Sequence, residues 1–506
     1  MSRVKLADAA SPLVLSLDIG SSSARAALYD VRGRRVRKTG AKVEHRFLST
    51  TDGGVTADAA TLADCVVEAI DETMARAETR ADDIAAVGCS VFASSVVGVD
   101  AAGEAVTPVY TYADVRNAAD TAALRDEWDV AALYDRTGCP LHASYLAPRF
   151  RWMARTQPEL LERVHRWISF GEFLYGRLFD HACGLGVSAA AWSGLLDRRS
   201  MGWDRTTLDA LGLEADVLGR IDTANAPVRG LAPAWAERWP DLAEAAWFPA
   251  VGDGVASNVG TAATDAPEVV VNLGTSAAVR AIVPGPVAEV PQGLWEYRIS
   301  PDRSLLGGAL TDGGNMVRWV AELTDLGPSK GWDAMVEELP PDGHGVTLLP
   351  FLSGERSPGW DDQARATIHG LRRNTRAEEM LLAGMEAVTY RLTRIYNLLS
   401  AELPSAHSVT LSGGGFRRSR VWAQMVTDAF GRPATRSAAV EATSRGAALW
   451  ALAHLGAIES WAAVEPLGGE TLEPGAANGA VYRAAMERQE RLYRRMAGAG
   501  DLRDGE

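Results

Sequence analysis

Cysteine is scarce. Cys65, Cys89, Cys139 and Cys183 are the only four in 506 residues, and none forms a C-x-x-C pair. That excludes a disulfide scaffold and leads us to expect reduced thiols in a cytoplasmic protein. The eight histidines are scattered, with none at ligand spacing from a cysteine, so no metal cluster is expected. Positive charge is short as well. A net charge of −14 argues against a nucleic-acid partner, which needs a basic face to displace counterions. Long apolar runs are missing too. The run from Leu13 to Ile19 is short and is broken by Asp18. We therefore expect neither a signal peptide nor a membrane span of ~18–20 apolar residues.

What is present is enough apolar residue, 47% of the chain, for a large core. The usual length per domain suggests two to four domains. Residues 13–30 read LVLSLDIGSSSARAALYD: a strand at 13–18, a small polar turn, and a second strand at 24–30. A third strand is predicted over 35–44 and a helix over 57–77, where Ala60, Leu62, Ala63, Val66, Val67 and Ile70 fall mainly on one side. Strands are predicted again at 84–91 and 95–99. A dinucleotide fold would follow its first glycine turn with a helix, and here the chain stays extended. Residues 268–283, EVVVNLGTSAAVRAIV, repeat the strand–turn–strand unit about half a chain later. Further strands are predicted at 294–299, 304–309 and 407–411. Helices are predicted from Gly314, over 376–402 with a Thr375–Glu378 capping box, and from Ser419. The charged stretch 478–497 reads as a helix with Met486, Leu492, Tyr493 and Met496 available for packing. Two related α/β halves follow, with a boundary near 250–265.

One glycine-serine turn between apolar runs is most often an ordinary hairpin. Two at half-chain spacing suit a two-lobed grip on a nucleotide. Glycine lets backbone N–H groups approach phosphate oxygens, and serine or threonine hydroxyls add donors. Asp18, at the strand end, suits magnesium, directly or through water. Arg25 adds positive charge. The lysine and following helix of a Walker loop are missing.

These segments, with four more, resemble the FGGY family of carbohydrate kinases, within the sugar kinase, heat-shock chaperone and actin superfamily. LDIGSSSARAAL and NLGTSAAVR resemble the family's two phosphate loops. RTGCPLHASYLAPRFRWM resembles its first signature, with Arg149 where lysine is usual. FPAVGDGVASNVG resembles the segment of the catalytic aspartate, and LLPFLSGERSPGW and VTLSGGGFRRSRVW the later signature and the adenosine motif. GLWEYRIS, GGALTDGGNMVRW, GERSPGW and EATSRGAALWAL resemble the gluconokinase branch.

The resemblance implies an α/β protein of two actin-like (ribonuclease-H-like) lobes with a nucleotide cleft between them. It divides the chain into a sugar lobe at 12–255, a nucleotide lobe at 256–460 and a helical tail at 461–506. It implies ATP and Mg²⁺, a small-molecule sugar or sugar acid as substrate, and allows a homodimer. By resemblance Asp253 is the catalytic base, although G-D-G alone reads as a turn. Asp18 is the magnesium anchor. Gly20, Ser21, Ser22, Ser23, Arg25, Gly274, Thr275, Ser276, Gly314, Arg318, Gly413, Gly414, Gly415 and Ser419 line the ATP site. Ser94, Ser95, Asp114, Arg116, Asp253 and Gly254 meet the sugar. D-gluconate, converted to 6-phosphogluconate, is the expected substrate, and Arg116, Arg149 and Arg356 are the candidate partners of its carboxylate.

Three readings stand beside it. Ala93 and Ser94 replace a tryptophan and a histidine expected in gluconokinase-like chains, which implies a smaller, less aromatic wall and opens the site to another polyol or ketose such as xylulose, ribulose or a sugar alcohol. Tyr112 likewise stands where tryptophan is commoner. An actin-like or chaperone-like ATPase would lack sugar dependence, and a degenerate sugar-binding protein would lack turnover. Asp114 and Arg116 read equally as a surface ion pair.

Overall fold

In the computed structural model, residues 3–181, 183–261, 268–405, 407–465 and 467–497 are described. Part of the expected boundary at 250–265 and the end of the expected tail at 461–506 lie outside them. The first sheet is built on a hairpin. β1 (Leu13–Ile19) pairs antiparallel with β2 (Ser23–Tyr29) and parallel with β3 (Ile84–Val91). Every residue of β1 is buried, Ser16 and Asp18 included, as a strand covered on both faces requires. Leu13, Leu15, Leu17 and Ile19 share a core with Leu62, Val66 and Ile70 of α1 (Ala59–Ala77). The strand expected at 35–44 is two short pieces, Arg35–Val36 and Ala41–Glu44. The chain turns between them at Lys38, whose φ of 65° no strand accommodates. β4 (Val251–Gly252) adds parallel to β3, and α2 (Asp253–Thr261) follows at once.

The second sheet repeats the plan. β5 (Glu268–Leu273) and β6 (Ala277–Pro284) form a hairpin, extended on the β6 side by β8 (Arg303–Leu310) and β7 (Trp295–Ser300). Three helices pack around this lobe: α3 (Gly314–Leu323), α4 (Ala377–Ser400) and α5 (Arg420–Phe430). β9 (Ser408–Ser412) lies parallel to β5 on the other side, as β3 lies beside β1. The cap of α4 sits one residue later than expected. The N–H of Arg376 donates to Glu379 at 2.8 Å, while the Thr375 hydroxyl accepts from Arg372 N–H and closes the preceding turn.

α6 (Ala442–His454) comes from the second half of the chain but packs on the first sheet. The Ser16 hydroxyl donates to the Ser444 carbonyl at 2.6 Å, and Val14 shares a core with Ala448 and Leu449. α7 (Ala476–Ala497) closes over the second lobe: Met486 packs on its core and the Tyr493 hydroxyl donates to Glu355 at 2.7 Å. Met496 is exposed. No helix among the described residues is long and apolar enough to cross a membrane. The two lobes are the α/β fold that the repeat led us to expect.

Candidate active site

Strand pairing decides which loops meet. Asn272 of β5 faces Ser412 of the parallel β9, so the turns that follow, at Gly274 and Gly413, emerge at the same end. β8 runs antiparallel to β6 and brings its own end to the same place. There Gly313 N–H donates to the Thr275 carbonyl at 3.0 Å and Gly314 N–H to the Gly274 carbonyl at 2.9 Å. A cavity of about 670 Å³ opens at this end. Gly274, Thr275, Gly314, Arg318, Gly414, Gly415 and Ser419 line it, seven of the residues expected at the ATP site. Trp332, absent from the sequence reading, is a further wall. The N-terminus of α3 opens into the cavity, where a helix end favours an anion. Gly413 and Ser276 do not line it. Gly413 makes the turn, with φ of 97°, and a Cβ there would meet the Leu273 carbonyl oxygen at 2.6 Å. Ser276 closes its own turn, its carbonyl accepting from Gly274 N–H at 2.9 Å. Ser419 caps α5, accepting from Trp422 N–H at 2.9 Å.

The first lobe uses the same device. β1 and β4 both run parallel to β3, and Asp18 and Val251 both face Ser90. Asp18, the Gly20 turn and Asp253 therefore emerge together at one sheet end. Gly20 N–H donates to the Ser23 carbonyl at 3.1 Å, matching the turn at Gly274. Ser21 and Ser22 are exposed and Ser23 is buried in β2. Arg25 lies 3.4 Å from the Asp18 carboxylate. Burial pushes the Asp18 carboxyl up to about 6; Arg25 opposes, and the charges of Asp253 and Glu441 add. Burial also raises Asp253, against the pull of Arg280, the Gly254 N–H and Arg356. Two carboxylates thus crowd one electrostatic neighbourhood, the usual mark of a functional site.

Around Asp253 stand Ser94, Ser95 and Arg356, as expected from the sequence, and two groups it did not single out, Trp192 and Arg280. The indole of Trp192 lies against Gly252 and Gly254, where a Cβ would meet its ring at 2.5 and 3.1 Å. The Ser94 hydroxyl, on a residue with φ of 49°, donates to the Trp192 carbonyl at 2.6 Å. Ser95 accepts from Phe170 N–H at 3.4 Å. An aromatic face therefore flanks Asp253 although positions 93 and 94 carry none. Arg280 of β6 donates to the Gly254 carbonyl at 3.4 Å. Arg356 lies over the ring of Tyr112, 5.8 Å from its centroid, and Ser21 and Asp253 act on that tyrosine's hydroxyl. One signal for Arg280 was available: a lone arginine in an otherwise apolar strand.

Asp114 and Arg116 are not a surface pair. The Asp114 carboxylate is fully buried, 2.5 Å from Arg116 and 3.4 Å from Arg149, which is itself fully buried. Burial opposes ionisation there, but the two arginines hold the Asp114 carboxyl below its usual range. Arg116 stacks 4.7 Å from the centroid of Trp152. Its charge and that of Arg149 are spent on Asp114, which takes both out of the list of free cations.

The descriptions of two known domains fit the two lobes. The N-terminal domain of the FGGY family of carbohydrate kinases matches residues 13–260, and the C-terminal domain of that family matches residues 269–455. The gluconokinase of Bacillus subtilis (strain 168) is 26% identical over 473 residues, covering 90% of each chain. A ligand-bound xylulose kinase from Lactobacillus acidophilus superposes with a TM-score of 0.89 at 22% identity, over 98% of this chain and 99% of that one. The gluconate kinase of the same organism gives 0.88 at 22% identity, over 96% and 98%. With a doubled hairpin fold and both domain descriptions covering most of its length, the chain belongs to the FGGY family of carbohydrate kinases, ATP-dependent enzymes that transfer a phosphoryl group to an alcohol of a small sugar.

Proposed function

We propose that this kinase phosphorylates a sugar acid, D-gluconate first among them, to give 6-phosphogluconate, and that Asp253 is its general base. The observation that carries the reading is the shared strand end at which Asp253 meets Asp18 and the Gly20 turn. A carboxylate there can take the proton of an acceptor hydroxyl next to a phosphate-binding loop. Gluconate is supported by the 26% identity to a gluconokinase over 90% of both chains.

The reading gives each part a role. Gly274, Thr275, the α3 N-terminus and Arg318 hold the phosphates from the second lobe, and Gly414, Gly415 and Ser419 border the adenosine. Gly20, Ser21, Ser22 and Arg25 face the phosphates from the first, while Ser23, expected beside them, is buried in β2. Ser94, Ser95, Asp253 and Gly254 lie on the sugar side. Phosphoryl transfer asks mainly for positioning and charge neutralisation, and closing the cleft excludes water as a competing acceptor. Asp18 suits Mg²⁺: its oxygens are hard ligands, buried at the strand end with the charge of Asp253 nearby. When bound, the metal neutralises phosphate charge. On this reading residues 12–255 are the sugar lobe, 256–460 the nucleotide lobe and 461–506 a closing tail of a cytoplasmic enzyme.

A panel of acceptors with coupled ADP detection tests the substrate. We expect D-gluconate to give the highest kcat/KM, by at least about tenfold. A preference for xylulose, ribulose or a sugar alcohol, the reading that Ser94 in place of histidine favours, would replace gluconate. ATP turnover indifferent to every sugar would overturn the proposal.

A further inference from the structure

We propose that Arg280 and Arg356 together receive the carboxylate of the acceptor, and that Arg280 sets the preference for aldonates over neutral polyols. The inference rests on the reading of the Asp253 pocket as the acceptor site. Arg116 and Arg149 already share Asp114. Neither Arg280 nor Arg356 has a carboxylate within 4 Å among the described residues. Arg280 reaches one carbonyl, that of Gly254, at 3.4 Å. Arg356 reaches one, that of Leu310, at 2.9 Å, and its Nε is buried with no partner. A third donor beside them, the Nε1 of Trp192, is also buried and unpartnered, on a side chain only 4% exposed. Unmade hydrogen bonds of this kind are costly unless something is built to meet them.

The three donors come from separate parts of the chain: Arg280 and Trp192 meet at Gly254, and Arg356, over Tyr112, acts by its charge on Asp253 and Arg280. Arg280 projects from β6 of the second sheet. Arg356 comes from the loop at 351–362, and Trp192 from the first lobe. Neither guanidinium is held in an ion pair among the described residues, so both keep donors to offer an incoming anion. A neutral polyol offers those donors no charge. An aldonate supplies one negative charge and two oxygens that match the fork of an arginine.

The test separates this inference from the substrate assignment. KM for D-gluconate, KM for ATP and kcat are measured for wild type, Arg280→Met and Arg280→Lys, each checked for native circular dichroism. Arg280→Met should raise KM for gluconate about 10- to 100-fold, the cost of a lost charge-assisted hydrogen bond, with KM for ATP within about twofold. Arg280→Lys, which keeps the charge but loses the fork, should fall between, and stands in for Met if that variant does not fold. Guanidinium ion added to Arg280→Met should restore part of the gluconate affinity. If wild type uses gluconate and neither variant moves its KM beyond about threefold, the inference falls and the substrate assignment stands. If wild type uses only neutral sugars, both fall.

Discussion

Gly446 lies so close to Ala256 that a methyl group on it would sit 1.7 Å from the Ala256 carbonyl oxygen. The contact is reciprocal: a Cβ on Gly260 would lie 1.8 Å from the carbonyl oxygen of Ala442. α2 and α6 therefore cross backbone to backbone. α2 leaves the first sheet and hydrogen-bonds the second, where Asn258 donates to the Arg280 carbonyl at 3.3 Å, and α6 returns to the first. Only glycine permits this approach, so the crossing that joins the lobes is written in two residues.

Gly446→Ala should accordingly force the helices apart. We expect a loss of about 1–3 kcal/mol or more in urea unfolding, as for other overpacked cores, together with reduced kcat. An unchanged midpoint would show that the crossing yields freely.

Asp18 predicts a pH dependence. Folding raises its titration from the ordinary 3.8 to about 6, so the folded protein holds that proton more tightly than the unfolded chain. The stabilising contribution is complete below the unfolded value and is lost as pH rises through about 6. In Mg²⁺-free buffer at about pH 8, Asp18→Asn should therefore be more stable than wild type, by at most about 3 kcal/mol, while losing turnover. The difference should vanish below about pH 4 and shrink when Mg²⁺ is added. Equal stability at both pH values would remove the strain from Asp18.

Asp362 fastens the loop that carries Arg356 to the first lobe. Its carboxylate lies 2.8 Å from Arg125 and 2.8 Å from His142, and is itself nearly fully buried. Trp360 packs beside it, 5.3 Å from the His142 ring centroid. Asp362→Ala should cost about 3 kcal/mol, the lower end for a broken buried pair because Arg125 is partly exposed. It should also raise KM for the sugar more than KM for ATP. Equal changes in both would mean the loop does not serve the acceptor side.

Much of this was legible because it is local. Each hairpin announces itself by an apolar run, a glycine and a return strand, and the repeat is visible in one chain. Gly314, Arg318 and Gly414 followed from resemblance and line one cavity. What escaped is non-local. Arg280 looks like an oddity in β6 until the lobes bring it against Gly254. Trp192 lies far in sequence from both Ser94 and Asp253. Asp114 and Arg116 looked like a loose pair because nothing in their spacing reveals that Arg149 is buried against them. α6 sits beside second-half strands in sequence, and only the small residues Gly446 and Gly260 hint that it crosses back.

Asp253→Asn at saturating ATP and D-gluconate is the decisive measurement. The variant keeps the shape of the side chain and loses its ability to take a proton. We predict a fall in kcat of about 10²- to 10⁴-fold, with both KM values within about threefold of wild type. A folded variant turning over at close to the wild-type rate would contradict the role of Asp253 as base.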